Sequence, residues 1–200
     1  MKLYDFPFAP NPRKLRVYLA EKGIEVPRVN VNLVKGEQNA PDFLAKNPLG
    51  KLPVLELDDG TVLTESLAII HYFEGLHPDP PMIGQTPLER ARVCELEQIA
   101  YHSVLANVAR CFHATKAVLP GATPNEAIAI AARDALPKPL AVLDAAIGAN
   151  VFVAGERPSI ADCTLFASLK LAEMAEVELP AGANLVRWYE GFSQRPSASA

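Results

Sequence analysis

The feature that most constrains the fold of this chain is a change in hydrophobic pattern near residue 77. Before this point, short apolar runs typical of strands alternate with helical segments. After it, long amphipathic helical patterns follow almost without a strand signal. Residues 78–87 lie between the two patterns and contain four prolines, so they cannot form a helix or a central strand. We therefore predict an α/β unit over residues 1–77, a linker over residues 78–87 and an all-helical unit over residues 88–200.

The first unit is predicted to have the element order βαβαββα. Its first helix is expected to have Asn11 as N-cap, Pro12 as first helical residue and Gly23 as stop. Two further helices are expected at residues 41–46 and 66–76. Strands are predicted at residues 2–5, 29–33, 54–57 and 61–63, and the last two of them are predicted to form a hairpin.

The second unit is predicted to contain four helices. The first three open with capping boxes, in which a Ser or Thr is followed three positions later by an acidic residue. Pro137 and Pro139 fall inside the second helical pattern and predict a kink or an interruption there. The four helices cover approximately residues 86–116, 123–147, 159–175 and 183–194.

Composition excludes several classes of function. Half of the residues are hydrophobic and the formal net charge is −4, which describes a globular chain with no attraction to nucleic acid or to an anionic membrane. No apolar stretch approaches a membrane span, and Asp5 and nearby prolines interrupt any secretory signal, so we expect a cytoplasmic protein. Cys94, Cys111 and Cys163 match no zinc or CxxC pattern, so neither a metal nor a disulfide framework is expected.

The segment NPLGKLPV, residues 47–54, is the first candidate binding element. If the Leu52–Pro53 bond is cis, the backbone N–H and C=O of Leu52 turn outward and can pair with an extended peptide. The alternative is an ordinary trans proline that ends a loop, which is the commoner state of such bonds. Lys35 and Lys51 flank this region and could hold a carboxylate, although most exposed lysines are only solvated.

Two helix starts are also candidates. Ser66 could cap the third helix, whose free amides would attract a carboxylate while Glu65 attracts an ammonium. Together they fit the α-amino acid end of a ligand, although the residue types alone favour the alternative, an N-cap beside an acid favourable to the helix dipole. Asn11 at the first helix could donate a hydrogen bond to a thiolate, whose pKa a helix N-terminus lowers. Plain N-capping is the alternative for Asn11.

Three strings carry a resemblance to a known family: PNPRKLRVYLAEKGI, NPLGKLPVLELDDGTVLTES and SIADCTLFA. The chain resembles bacterial-type members of the cytosolic glutathione transferase superfamily over essentially its whole length. The resemblance implies a thioredoxin-like N-terminal domain that binds glutathione and an all-α domain that supplies the pocket for a second substrate. It also implies a cis bond at Pro53.

Residue by residue, the resemblance assigns Leu52 to the cysteinyl unit and Glu65 and Ser66 to the γ-glutamyl end. Lys35 and Lys51 fall where such enzymes contact the glycine carboxylate. Glu97 or Gln98 of a partner subunit could complete the glutamyl site. The second-substrate pocket is predicted to include residues of the loop before the first helix and of the long helix: Phe8, Ala9, Tyr101, Val108 and Phe112. The alternative for the long-helix residues is the core or a dimer interface.

The catalytic position departs from the family pattern. The usual Ser falls on Ala9, the usual Cys on Asn11, and the usual Tyr on Asp5, with Tyr4 beside it. Asn11 is therefore the candidate catalytic residue, a donor to the thiolate with help from backbone amides. A donor without a base stabilises the anion but cannot take its proton, so we expect modest activation.

We therefore predict a homodimeric, cytoplasmic glutathione transferase with a role in detoxification. It would use reduced glutathione as a substrate, without a metal, and conjugate the thiolate to a small hydrophobic electrophile. The alternatives are a glutathione-dependent isomerase or dehalogenase, and a non-catalytic module of the same fold for protein–protein contacts. A thioredoxin-type reductase is nearly excluded, because no cysteine precedes Cys94.

Overall fold

The computed structural model describes residues 1–116, 118, 120–180 and 182–200. Its first unit contains one four-stranded mixed sheet in the order β2-β1-β3-β4. The strands are β1 Lys2–Asp5, β2 Arg28–Asn30, β3 Val54–Glu56 and β4 Val62–Thr64. The helices of this unit are α1 Pro10–Glu21, α2 Pro41–Leu44 and α3 Ser66–Leu76, with a short 3-10 turn at Glu37–Asn39.

The sheet has the predicted element order. β1 is parallel to β2 and antiparallel to β3, and β3 and β4 form the predicted antiparallel hairpin. Because side chains alternate along a strand, the two faces of the sheet bury different clusters. Leu3 and Leu55 pack into the main core, while Tyr4 and Val54 pack with Phe43 of α2.

The described part of the second unit is all-helical, as predicted. The long helix consists of α4, a π-helical segment at Ile99–Leu105 and α5, and it ends at Lys116. The helical pattern of residues 123–147 is interrupted before Pro137, because proline is well placed at a helix start but not in a helix interior. The helices are α4 Pro87–Gln98, α5 Ala106–Lys116, α6 Glu126–Asp134, α7 Pro137–Ile147, α8 Ile160–Ala175 and α9 Ala183–Ser193, followed by a 3-10 turn at Pro196–Ser199.

Helix α8 is the centre of the second unit. It is almost entirely buried, and it packs against α1, α4 and α5. At its start, the carboxylate of Asp162 accepts hydrogen bonds from the N–H and the hydroxyl of Ser159, both at 2.8 Å. The other oxygen accepts from the Val153 N–H and from the Trp188 indole, again at 2.8 Å. The described helices include none long and apolar enough to cross a membrane.

Three predicted helix caps are wrong. The helix predicted to open with a capping box at Thr123 begins at Glu126 instead, and its N-cap is Asn125, whose Oδ1 accepts from the Ile128 N–H at 3.1 Å. The N-cap of α1 is Ala9, not Asn11, and Pro10 rather than Pro12 is the first helical residue. Ala9 has φ −78° and ψ 132°, the extended conformation that a following proline favours, so the boundary falls two residues earlier. Ser66 is likewise the first residue of α3, and Glu65 occupies the cap position.

Candidate functional site

The candidate site begins at one end of the β3–β4 hairpin. The register pairs Val54, the first residue of β3, with Thr64, the last residue of β4, so Leu52 and Ser66 both lie two residues beyond this end of the hairpin. The Leu52–Pro53 peptide bond is cis, as the resemblance implies. Within the described residues, neither the N–H nor the C=O of Leu52 has a hydrogen-bond partner. The sheet therefore presents an unpaired strand end beside the start of α3.

Asn47 organises the loop that leads to this strand end. Its side chain is nearly buried, its Nδ2 donates to the Lys51 carbonyl at 2.8 Å, and its Oδ1 accepts from the Leu49 N–H at 3.1 Å. Gly50 has φ +60°, and a Cβ atom there would lie 3.3 Å from the Gln38 carbonyl oxygen. The sequence analysis named this segment but gave Asn47 no role. The signal was present, because Asn side chains often accept a hydrogen bond from the backbone two residues further on in a turn.

The start of α3 presents a carboxylate, that of Glu65, beside a hydroxyl, that of Ser66. Glu65 is exposed and has φ +66°, a conformation that a non-glycine residue rarely adopts and that is often found at functional positions. Ser66 is only 5% exposed, and its hydroxyl has no hydrogen bond among the described residues. The first-turn amides point out of the helix and can bind an anion, while the Glu65 carboxylate can bind a cation.

Lys35 and Lys51 are both exposed, and neither ammonium forms an ion pair with any described residue. Lys51 directly precedes Leu52, whereas Lys35 lies in the loop after β2. Either ammonium is therefore free to bind a carboxylate of a ligand.

The N-terminus of α1 carries few backbone donors. Pro10 and Pro12 have no N–H, and the Arg13 N–H is bonded to the Ala9 carbonyl at 3.0 Å. The Asn11 N–H has no partner among the described residues. Asn11 therefore offers both a backbone and a side-chain donor at this helix end. Its Oδ1 atom is buried and makes no hydrogen bond with the part of the chain that the structure describes.

The neighbours of Asn11 come from the long helix. The Lys14 ammonium lies 4.5 Å from the centre of the Tyr101 ring and 3.2 Å from the Glu97 carboxylate. Burial raises the pKa of Tyr101, and the charge of Glu65 raises it further, while the Asn11 side chain opposes this. Burial lowers the pKa of Lys14, and Glu97 opposes this.

Glu97 is not free to reach a partner subunit. Its side chain is 1% exposed, and its carboxylate also accepts from the Thr164 hydroxyl at 3.1 Å and from Gln98 Nε2 at 2.6 Å. The suggestion that Glu97 completes a glutamyl site across a dimer is therefore wrong.

Asp5, at the usual Tyr position of the family, and Tyr4 beside it both have structural partners. The Asp5 carboxylate forms a buried ion pair with Arg16 at 2.6 Å. The Tyr4 hydroxyl donates to Glu56 at 2.7 Å. Tyr4 packs on the opposite face of the sheet from Leu3, as strand alternation predicts.

An apolar cavity of about 310 Å³ opens beside the start of α1. It brings together three of the five predicted pocket residues, Phe8, Ala9 and Phe112. Val108 is fully buried in the core and does not line the cavity, so its predicted place in the pocket is wrong; Tyr101 lies outside the cavity too. The other lining residues are Phe6, Pro10, Leu33, Val34, Ala109, His113, Val118, Leu171 and Met174.

His113 is the one ionisable side chain among the described residues of this cavity wall. Partial burial lowers the pKa of His113 from 6.5, so the imidazole is neutral at pH 7. The cavity therefore suits an uncharged, apolar molecule.

Comparison with known proteins identifies the family. The model of the glutathione S-transferase N-terminal domain matches residues 3–81, and the model of its C-terminal domain matches residues 102–196. The chain belongs to the glutathione S-transferase family. Glutathione S-transferase 2 of Saccharomyces cerevisiae is 36% identical over 98% of this chain and 87% of its own length.

Two further relatives extend this comparison. A maleylacetoacetate isomerase of Pseudomonas aeruginosa is 31% identical over 90% of this chain and 85% of its own. The crystal structure of a glutathione S-transferase domain-containing protein from Marinobacter aquaeolei VT8 superposes with a TM-score of 0.91. It is 35% identical and covers 98% of this chain and 99% of that one. The predicted fold and the predicted glutathione transferase function are thus confirmed at the level of the family.

Proposed function

We propose that this transferase binds reduced glutathione along the strand end at Leu52 and at the start of α3. The observation that carries the proposal is the strand end itself: Leu52, with unpaired backbone groups, and Ser66 both lie two residues beyond the Val54–Thr64 pair that closes the β3–β4 hairpin. A tripeptide could pair with Leu52 through its cysteinyl unit, as an added strand does. Its γ-glutamyl end would then meet Ser66, the α3 amides and Glu65.

The glycine carboxylate of glutathione is proposed to bind Lys51, Lys35 or both. Either lysine is exposed and lacks a carboxylate partner among the described residues. Because an exposed ion pair contributes little, each lysine is expected to matter less than Ser66.

Asn11 is the proposed donor to the glutathione thiolate. In this arrangement the Asn11 amide and backbone N–H stabilise the anion, and the positive end of α1 adds to the effect. The enzyme would act mainly by placing the thiolate against the electrophile.

The second substrate is proposed to be a small hydrophobic electrophile held in the cavity beside Phe8, Ala9 and Phe112. Only His113 among the described lining residues is ionisable, so charged electrophiles would be disfavoured. Conjugation of such compounds would serve detoxification.

A second candidate is a glutathione-dependent isomerase. The similarity to maleylacetoacetate isomerase over 90% of this chain favours it. The same glutathione site would serve both activities, with the thiol returned at the end of an isomerisation and consumed in a conjugation.

The oligomeric state, domain division and location are also proposals. A homodimer follows the family expectation, and Leu49 and Leu88, which are 67% and 71% exposed, are apolar surface that an interface would cover. We place the boundary between the two domains within residues 78–87. The three cysteines are free thiols, which fits the reducing cytoplasm.

Calorimetry with reduced glutathione, followed by a panel of electrophiles and isomerisable substrates, tests the function. Binding at millimolar or lower concentration with glutathione consumed supports the transferase, while turnover without consumption supports the isomerase. Absence of binding at millimolar glutathione would overturn both. Phe112→Ala should raise the KM for the electrophile and leave glutathione affinity unchanged.

A further inference from the structure

The apolar cavity beside the start of α1 has a buried floor and an exposed mouth. Its lining includes four large hydrophobic side chains that are 36% to 59% exposed: Phe8, Val34, Val118 and Met174. Other lining residues are almost fully buried: Phe6, Ala9 and Leu171. One end of the cavity therefore opens to solvent, and the other end lies against the packed interior.

The floor of this cavity adjoins the proposed position of the thiolate. Ala9 and Pro10 line the cavity and directly precede Asn11, the proposed donor to the sulfur. An electrophilic carbon has to come into contact with the sulfur before it can react, so the reactive end of a substrate enters the floor first. The described side chains of the floor are apolar, which favours a reactive end without charge.

The polar side chain at the mouth is His113. Its imidazole lines the cavity, is exposed, and stands edge-on to the Phe112 ring, with 5.4 Å between the two ring centres. Neither ring nitrogen is hydrogen-bonded to another described residue. Because partial burial lowers the pKa of His113, the ring is neutral at pH 7 and offers one donor and one acceptor.

The exposed apolar side chains of the mouth indicate how long a bound molecule is. A molecule confined to the floor would leave Phe8, Val34 and Met174 in contact with water, whereas a longer one covers them and gains the free energy of that burial. The far end of such a molecule then meets His113. Within the described wall, this imidazole is the one ionisable group that can hydrogen-bond to it.

We propose that His113 is a specificity-determining residue, and that the preferred electrophile is elongated, with an apolar reactive end and an uncharged hydroxyl at its far end. The thiolate sulfur bonds to the electrophilic carbon, the leaving group departs with its electron pair, and the thiol proton passes to solvent. His113 contacts the far hydroxyl and takes no part in these steps. The inference rests on the proposed function, since it names the substrate class of that site.

The test compares two iodoalkanes with the same reactive carbon, 1-iodohexane and 6-iodohexan-1-ol. Iodide release in the presence of glutathione, corrected for the uncatalysed reaction, gives kcat/KM for each. In the wild type the hydroxyl is expected to raise kcat/KM about fivefold, the effect of one neutral hydrogen bond. His113→Leu should abolish this preference, while His113→Gln, which keeps a donor and an acceptor, should retain most of it.

His71→Leu is the matched control. His71 is an exposed histidine of α3 that does not line the cavity, so its replacement should leave the ratio of the two kcat/KM values unchanged. A thermal melt of His113→Leu should match the wild type within a few degrees, because the imidazole has no hydrogen-bond partner among the described residues to lose. This separates recognition of the substrate from loss of fold.

Several results would overturn the role of His113 and leave the proposed function standing. One is an equal loss of kcat/KM for both iodides in His113→Leu, which would mean that the side chain only shapes the cavity. A second is a preference for 6-iodohexanoate over 6-iodohexan-1-ol, which would require a cation at the mouth. A third is glutathione binding by calorimetry with neither iodide consumed. If the wild type binds no glutathione, the proposed function itself fails, and the role of His113 fails with it.

Discussion

Lys14 and Glu97 form an ion pair across the two halves of the molecule, at 3.2 Å and almost completely buried. Lys14 belongs to α1 of the sheet-containing unit, and Glu97 to α4 of the helical unit. A buried charge that loses its partner is strongly destabilising, whereas loss of both charges together is tolerated far better.

Replacement of one member of this pair should therefore be more harmful than replacement of both. Glu97→Gln is expected to lower the free energy of unfolding by about 3–5 kcal/mol, and Lys14→Met with Glu97→Leu should recover most of that loss. Urea unfolding measures both. The exposed pair Arg92–Glu95 is the control, because Glu95→Gln should cost less than about 1 kcal/mol. A Glu97→Gln loss no larger than this control would contradict the assigned role.

Ser66→Ala separates binding from stability. The Ser66 hydroxyl has no hydrogen bond among the described residues, so its removal should change the melting temperature little. In the glutathione complex the same hydroxyl is expected to bind the γ-glutamyl carboxylate, and its loss should raise the Kd about fivefold to twentyfold. Calorimetry and a thermal melt provide the two readouts. An unchanged Kd would remove Ser66 from the site.

Asp162→Ala should lower stability without weakening glutathione binding, the opposite of Ser66→Ala. It removes the acceptor of four hydrogen bonds, all 2.8 Å long, at a side chain with no exposed surface. We expect a loss of about 3 kcal/mol or more in unfolding free energy, because buried donors are left unpaired. The Kd for glutathione of the folded fraction should not change. Asp162→Asn keeps part of the acceptor set, and it should be less destabilising.

Glu21 should contribute a pH-dependent part of the stability. Burial raises the pKa of Glu21, but the hydrogen bonds from Arg195 and Ser197 outweigh it and hold the pKa below 4.5. Arg195 binds both carboxylate oxygens at 2.7 Å. A carboxylate with a lowered folded-state pKa stabilises the fold above its unfolded pKa, and this stabilisation is lost as pH falls through the folded value.

Glu21→Gln should therefore be destabilising at pH 7 by about 2 kcal/mol and nearly neutral once the pH lies below the folded-state pKa. Urea unfolding at a series of pH values measures the difference between variant and wild type. A difference that stays constant with pH would show that the charge of Glu21 is not involved.

Local patterns in the sequence predicted most of the fold. β1 and α3 begin and end at the predicted residues, since a turn and hydrophobic periodicity are short-range properties. Leu52, Glu65 and Ser66 lie just beyond the same end of the β3–β4 hairpin, because the register of this short hairpin pairs Val54 with Thr64, which is also local information. The boundary of α1 failed because two prolines two residues apart are both suited to a first helical position.

The contacts that sequence reasoning missed are long-range or depend on irregular backbone. Lys14 and Glu97 are 83 positions apart, and no local pattern pairs them. Tyr101, Val108 and Phe112 share a stripe only if the helix is regular throughout, and the π-helical segment changes the direction of side chains within it. Val108 and Phe112 both follow this segment in α5, and there Val108 packs in the core while Phe112 lines the cavity.

The proline that follows Asn11 has a chemical consequence for the lifetime of the protein. Asparagine deamidates when the backbone nitrogen of the next residue attacks the side-chain carbonyl and closes a five-membered ring. Pro12 has no hydrogen on that nitrogen, so the ring cannot form by this route. Slow ageing of the polypeptide therefore leaves the Asn11 amide intact, and a carboxylate that would repel a thiolate does not accumulate at that position.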